Sequence, residues 1–185
     1  MEYLPARTSA DLPDRSEAAV ASYAWCLVAA LSYLHSRGIV HCDVKGKNVL
    51  LGHSPGTAAL ADFGSAVDVD VDVSSAAGRG SPLWMAPEVI RGERQGREAD
   101  VWSVVGCTVI EMLTGKPAWG GSVWRIGYSN EVPLFPVRIS GAGADFLEKC
   151  LRRDYTRRWS CDQLLQHPRG RRWLIIGRRG ACWTV

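Results

Sequence analysis

The chain has 185 residues, 46% of them hydrophobic, and a formal net charge of +3 with both signs spread along its length. That composition excludes a disordered chain and leads us to expect one compact domain, while the overall charge singles out neither a nucleic acid nor a membrane surface as a partner. No apolar run approaches the roughly 20 residues of a membrane-crossing helix, and six cysteines with no CxxC pair and no preceding signal-peptide pattern read as reduced thiols of an intracellular protein, cytoplasmic or nuclear.

Asp14-Arg15-Ser16-Glu17 has the form of a capping box, and after it Val20, Tyr23, Leu27, Leu31 and Leu34 recur at three- and four-residue steps up to Gly38. This predicts a helix of about six turns. Ile39-Val40 and Val49-Leu50-Leu51 then flank a polar stretch, and Ala58 to Ala61 follow a turn at Ser54-Pro55-Gly56. Short strands bordering a polar loop fit this best. The alternation Val67 to Val73 has a strand period, but its acidic spacing suits a solvated loop equally well. Residues 64 to 97 are rich in Gly, Ser, Pro and charge and predict a long ordered loop.

From Ala99 to Thr114 apolar residues are nearly continuous until Gly115, which predicts a helix at the centre of the core. Two further helices are expected, near Ala144 to Leu151 and from Ser160 to His167, the second opened by the capping box Ser160-Cys161-Asp162-Gln163. The fold class is therefore mostly α with a small β element carrying polar loops. Trp102, Trp119, Trp124 and Trp159 are assigned to the core or to helix packing. His35, His53 and His167 lack ligand spacing with the cysteines, which argues against a zinc site.

Ile39-Val40-His41-Cys42-Asp43-Val44-Lys45-Gly46-Lys47-Asn48 resembles the catalytic loop of protein kinases. Ala61-Asp62-Phe63-Gly64 and Met85-Ala86-Pro87-Glu88 follow in the order that family requires. Asp100-Val101-Trp102-Ser103 with Gly106, and Arg158 before Leu164 to Pro168, match later landmarks. The resemblance implies a protein-kinase-like C-terminal lobe over 1–168, hinge included, followed by an unassigned basic tail, 169–185. That tail mixes Arg and Trp, but no matching basic face occurs elsewhere, so a solvated end is the reading and no nucleic-acid or membrane partner is expected.

The same resemblance implies the chemistry. Asp43 would orient a substrate hydroxyl and accept its proton, and Lys45 would steady the transferring phosphate. Asn48 and Asp62 would bind Mg2+ bridging the phosphates of ATP. Val49, Leu50 and Leu51 would form the apolar floor under the adenine, with Glu2 and Leu4 contributing from the hinge. His41 and Phe63 would stack in the core beside the site, Asp100 would anchor the catalytic-loop backbone, and Glu88 would pair with Arg158. Ser81, in Gly80-Ser81-Pro82, would bond Asp43 and Lys45 in the substrate-facing loop. Lys45 is the form found in serine/threonine kinases. Met1 to Pro5, Trp84 to Glu88 and residues 125–133 resemble the MAP kinase kinase kinases, plant members in particular, which makes a MAP kinase kinase the expected protein substrate.

Three departures qualify these expectations. No G-x-G-x-x-G occurs in the chain, and Met1-Glu2-Tyr3 matches the hinge, so the N-terminal lobe is expected to be absent. A catalytically inactive interaction module that docks kinase partners or substrates is the alternative function, and an apolar floor left open around Val49 to Leu51 predicts a poorly behaved monomer. Cys42 stands where many kinases carry the Arg that pairs with an activation-loop phosphate, so Ser74, Ser75 or Ser81 could not act through that pair. The loop between Pro117 and Ile126 is shorter than in relatives.

Overall fold

In the computed structural model, residues 7–69 and 78–168 are described. The first helix, α1 (Glu17–Ser36), starts two residues later than the sequence pattern suggests: Ser16, not Asp14, is the N-cap and accepts from the Ala19 amide. Asp14 instead accepts from the Ser16 amide. Glu17 reaches across the fold to Ser140, taking hydrogen bonds from its backbone N–H at 2.9 Å and its hydroxyl at 2.8 Å. By length and composition α1 could cross a membrane, which the sequence reading did not anticipate. Its Val20, Leu27, Val28 and Leu31 are buried, however, as in a helix that packs on the core of a globular fold.

Four short strands follow: β1 (Ile39–Val40), β2 (Val49–Leu51), β3 (Ala58–Leu60) and β4 (Val67–Asp68). β2 pairs antiparallel with β3, and β1 with β4, with Val40 opposite Val67. Residues 41–48 join β1 to β2 and residues 61–66 join β3 to β4, so the two ladders hold these loops face to face. Val67 and Asp68 thus take the strand option of their alternation. Thr8 bridges Leu50 on the free edge of β2.

α2 (Pro87–Ile90), inside the expected long loop, precedes α3 (Arg97–Val101). α3 runs without a break through a π-helical segment, Trp102–Thr108, into α4 (Val109–Thr114), which Gly115 ends at φ 74. This continuous rod is the predicted central helix, and its π turns carry the fully buried Trp102, Val104 and Val105. Gly106 makes room there for Leu151, whose side chain would lie 2.3 Å from an added Cβ and would have to move. α5 (Val123–Tyr128) was not expected. Its apolar residues divide, with Ile126 buried and Trp124 66% exposed, so of the two assignments, core or helix packing, Trp124 does not take the first; its ring stacks on Tyr128 of the same helix. α6 (Gly141–Cys150) and α7 (Cys161–Leu165) complete the fold, and the Ser160–Gln163 capping box is formed in both directions.

Cys42, Cys107, Cys150 and Cys161 are buried free thiols.

Candidate active site

Asp100 holds the loop that follows β1. It is buried, and its carboxylate accepts from the backbone N–H groups of His41 at 2.8 Å and Cys42 at 2.9 Å, with His35 Nε2 at 2.9 Å as a third partner. A carboxylate with these partners compensates the loss of hydration that burial imposes. The loop is thereby forced through a left-handed turn at Cys42, φ 68, and emerges with Asp43 facing out of the core. His41 is fully buried with Nε2 3.2 Å from Ala61 O, which ties the loop to the residue before Asp62. Its ring lies 4.8 Å from that of Phe63. The two rings touch but are tilted at 52° rather than stacked, and Phe63 is 47% exposed and does not belong to the core.

Lys45 Nζ donates to Asp43 Oδ2 at 2.8 Å and to Ser81 Oγ at 2.7 Å. Asn48 Nδ2 donates to the Asp43 carbonyl at 2.8 Å and approaches Oδ2 at 3.3 Å. Partial burial raises the Asp43 pKa, but hydrogen bonds from Lys45 and Ser81 and the Lys45 charge outweigh this and hold it below the usual carboxylate range. Asp43 is thus ionised at neutral pH. Its Oδ1 is buried and has no hydrogen-bond partner. An unpaired carboxylate oxygen there is a costly group unless something donates to it.

The Ala61 amide donates to Asn48 O at 2.9 Å, which continues the β2–β3 ladder by one bond and brings Asp62 beside Asn48 at one end of the hairpin. Asp62 has φ 64, a left-handed conformation rare for a residue with a Cβ, and its exposed carboxylate accepts, among the described residues, a long contact from the Gly64 amide. With the Asn48 amide nitrogen engaged by Asp43, the Asn48 amide oxygen and the Asp62 carboxylate remain as hard donors. Two such donors suit Mg2+, which takes few protein ligands and completes its octahedron with water and phosphate oxygens.

Of the three residues expected beneath an adenine ring, only one faces away from the core. Strand alternation turns Val49 and Leu51 down into the core and leaves only Leu50, half-buried, on the other face. The apolar opening from which a poorly behaved monomer was inferred is correspondingly small at these residues. Glu2, Leu4, Ser74, Ser75 and the tail lie outside the described residues.

Glu88 and Arg158 form the expected pair, with Nη1–Oε1 at 2.7 Å and Nη2–Oε2 at 3.1 Å, both side chains almost fully buried. Two buried residues at the site were not singled out from the sequence. Glu111 Oε2 accepts from the Gly46 amide at 3.1 Å and from Trp84 Nε1 at 3.0 Å, supporting the catalytic loop from below. Its signal was available: it is the one charge in the apolar run from Val101 to Leu113. Gln95, in a polar stretch, had none.

Burial raises the Glu111 pKa, with the Gly46 and Trp84 bonds opposing. A carboxyl group whose folded pKa exceeds the unfolded one stabilises the fold in its protonated state. That contribution is lost as pH rises from the ordinary value of about 4.3 through the folded value. Glu111→Gln should therefore flatten the fall in stability over that interval, as measured by urea midpoints at a series of pH values.

Residues 1–169 match the family model described as protein kinase domain. The chain belongs to the protein kinase family. Over 182 residues this kinase chain is 44% identical to mitogen-activated protein kinase kinase kinase 18 of Arabidopsis thaliana, an alignment covering 91% of this chain and 53% of that protein. It is 45% identical to the Arabidopsis mitogen-activated protein kinase kinase kinase 17, covering 91% of this chain and 48% of the relative. Mitogen-activated protein kinase kinase kinase A of Dictyostelium discoideum is 36% identical over 179 residues, covering 91% of this chain and 19% of that relative. The chain thus spans about half the length of the Arabidopsis pair. Protein kinases as a family use ATP and Mg2+, and the donor set of Asn48 and Asp62 fits the metal.

Proposed function

We propose that this chain carries the phosphotransfer and substrate-binding residues of a serine/threonine protein kinase of a MAP kinase cascade, with a MAP kinase kinase as its protein substrate. The observation that carries the reading is an ionised Asp43 on which Lys45 and Asn48 converge, with Lys45 bonded in turn to Ser81. ATP would supply the γ-phosphoryl group and Mg2+ would neutralise charge on its phosphates.

Asp43 accepts a hydrogen bond from the substrate Ser or Thr hydroxyl and takes its proton as the new oxygen–phosphorus bond forms and ADP departs. Lys45, paired with Asp43 in the resting site, has a flexible ammonium that can turn toward a phosphoryl oxygen. Asn48 and Asp62 would hold the metal, and Ser81 ties the substrate-facing segment to Lys45. The glycine-rich loop that covers the phosphates in this family does not occur among the 185 residues, so transfer would draw on that element from outside them.

Calorimetric titration of the chain with Mg-ATP tests the half-site. Binding that is lost in Asp62→Ala, followed by phosphorylation of a Ser/Thr protein, is the expected result. Absence of binding up to millimolar ATP would favour a docking lobe that engages kinase partners without transferring phosphate.

A further inference from the structure

Gln95 lies between α2 and α3, remote in sequence from the catalytic motifs, yet it is buried against them. Its Nε2 donates to two backbone carbonyls: Cys42 O of the catalytic loop at 3.3 Å and Arg79 O at 3.0 Å, two residues before Ser81. One carboxamide nitrogen with two N–H groups therefore joins the loop that carries Asp43 to the segment that carries Ser81. Its Oε1 is buried with no hydrogen-bond partner, so the position retains a polar group at a cost, and the donor end is what the surroundings use.

The two segments also meet closely. A Cβ at Gly80, φ 108, would lie 2.2 Å from Cys42 O, so only glycine permits the approach. The left-handed turn at Cys42 directs that carbonyl outward, while its side chain is buried with Sγ 3.7 Å from Val40 O. Burial, reinforced by the Asp100 charge, opposed by Arg79 and reinforced again by Asp43, pushes the thiol pKa up to about 12. Cys42 is thus neutral and inward-facing, and offers no charge to a phosphate.

We infer that Gln95 is a positioning residue, an uncharged clamp that docks the Ser81 segment on the catalytic loop without any phosphate. The inference rests on the kinase reading for its consequence but on geometry for its existence. Docking of this kind is insensitive to salt and to neutral-range pH, unlike a phosphate–guanidinium pair.

The test is hydrogen exchange by mass spectrometry on the full chain, after phosphatase treatment. In the fold the Trp84 amide bonds Ser81 O and the Met85 amide bonds Pro82 O, so these protons report on the segment. Gln95→Leu and Gln95→Glu, the latter close in size and shape but without the Nε2 donor, should each speed exchange at Trp84 and Met85 by about tenfold while α1 and α6 stay protected. Wild-type protection there should be the same with and without phosphatase and in high salt. Where transfer activity is present, KM for the protein substrate should rise with Mg-ATP affinity unchanged. Unchanged exchange in Gln95→Glu would overturn the clamp, as would wild-type protection that depends on phosphorylation. Loss of protection throughout the fold in both variants would overturn it in favour of a purely structural role. None of these exchange outcomes depends on whether the chain transfers phosphate.

Discussion

Asp100→Ala is expected to cost at least about 3 kcal/mol of stability and to abolish any phosphotransfer, because it leaves the His41 and Cys42 amides as buried donors without acceptors and removes the partner of His35. Each orphaned group carries its own desolvation penalty, and the left-handed turn at Cys42 loses the interaction that enforces it. Asp100→Asn, which keeps one acceptor oxygen, should fall between wild type and Ala. Urea denaturation of the three proteins at neutral pH measures the series. A loss under about 1 kcal/mol in Asp100→Ala would show that the loop holds its shape without this anchor.

Arg158→Ala should be comparably damaging, on the order of 3–5 kcal/mol, since it strands a buried Glu88 carboxylate. The guanidinium does more than pair with Glu88. It donates to Arg152 O at 3.0 and 2.9 Å and to Glu98 O at 2.7 Å, and lies 5.1 Å from the Trp102 ring centroid. Arg158→Lys keeps the charge but cannot reproduce the fork, so most of the loss should persist. The double variant Glu88→Gln/Arg158→Met removes both charges and should be less destabilised than Arg158→Ala alone. Denaturation midpoints of the three variants check this, and equal stability of Arg158→Lys and wild type would contradict the bidentate account.

Much of the site was legible because its chemistry is written in short, ordered stretches of sequence. His41 through Asn48, Asp62 through Gly64 and Glu88 carry roles that require particular functional groups at fixed spacing. The helices were legible where apolar periodicity ran long, as in α1, or where a cap is unambiguous, as with Ser160 and Gln163. The miscast N-cap at Asp14 shows the limit. Two residues on either side of Arg15, Asp14 and Ser16, could each cap, and Glu17 found its partner 123 residues away at Ser140 rather than at the helix start.

Other parts were illegible for the same physical reason. Leu50 was grouped with Val49 and Leu51 as one apolar floor, but which face of a strand meets the core is set by the element packed beneath it. α5 was missed because its apolar residues divide between a buried Ile126 and an exposed Trp124, so no clear amphipathic period is present. Glu111 could have been suspected from its apolar company, whereas its contacts with Gly46 and Trp84 depend on where the central rod passes under the catalytic loop.

By itself the sequence determined the family, the order of the candidate catalytic groups and the helices that build the core, because these follow from local periodicity and from functional groups at fixed spacing. Only the tertiary structure decided that two strand pairs face the Asp43 and Asp62 loops toward each other, that Asp43 keeps an unpaired oxygen, and that Gln95 joins Cys42 to Arg79. Those features are distances between residues far apart in the chain, and they are set by how buried surfaces pack.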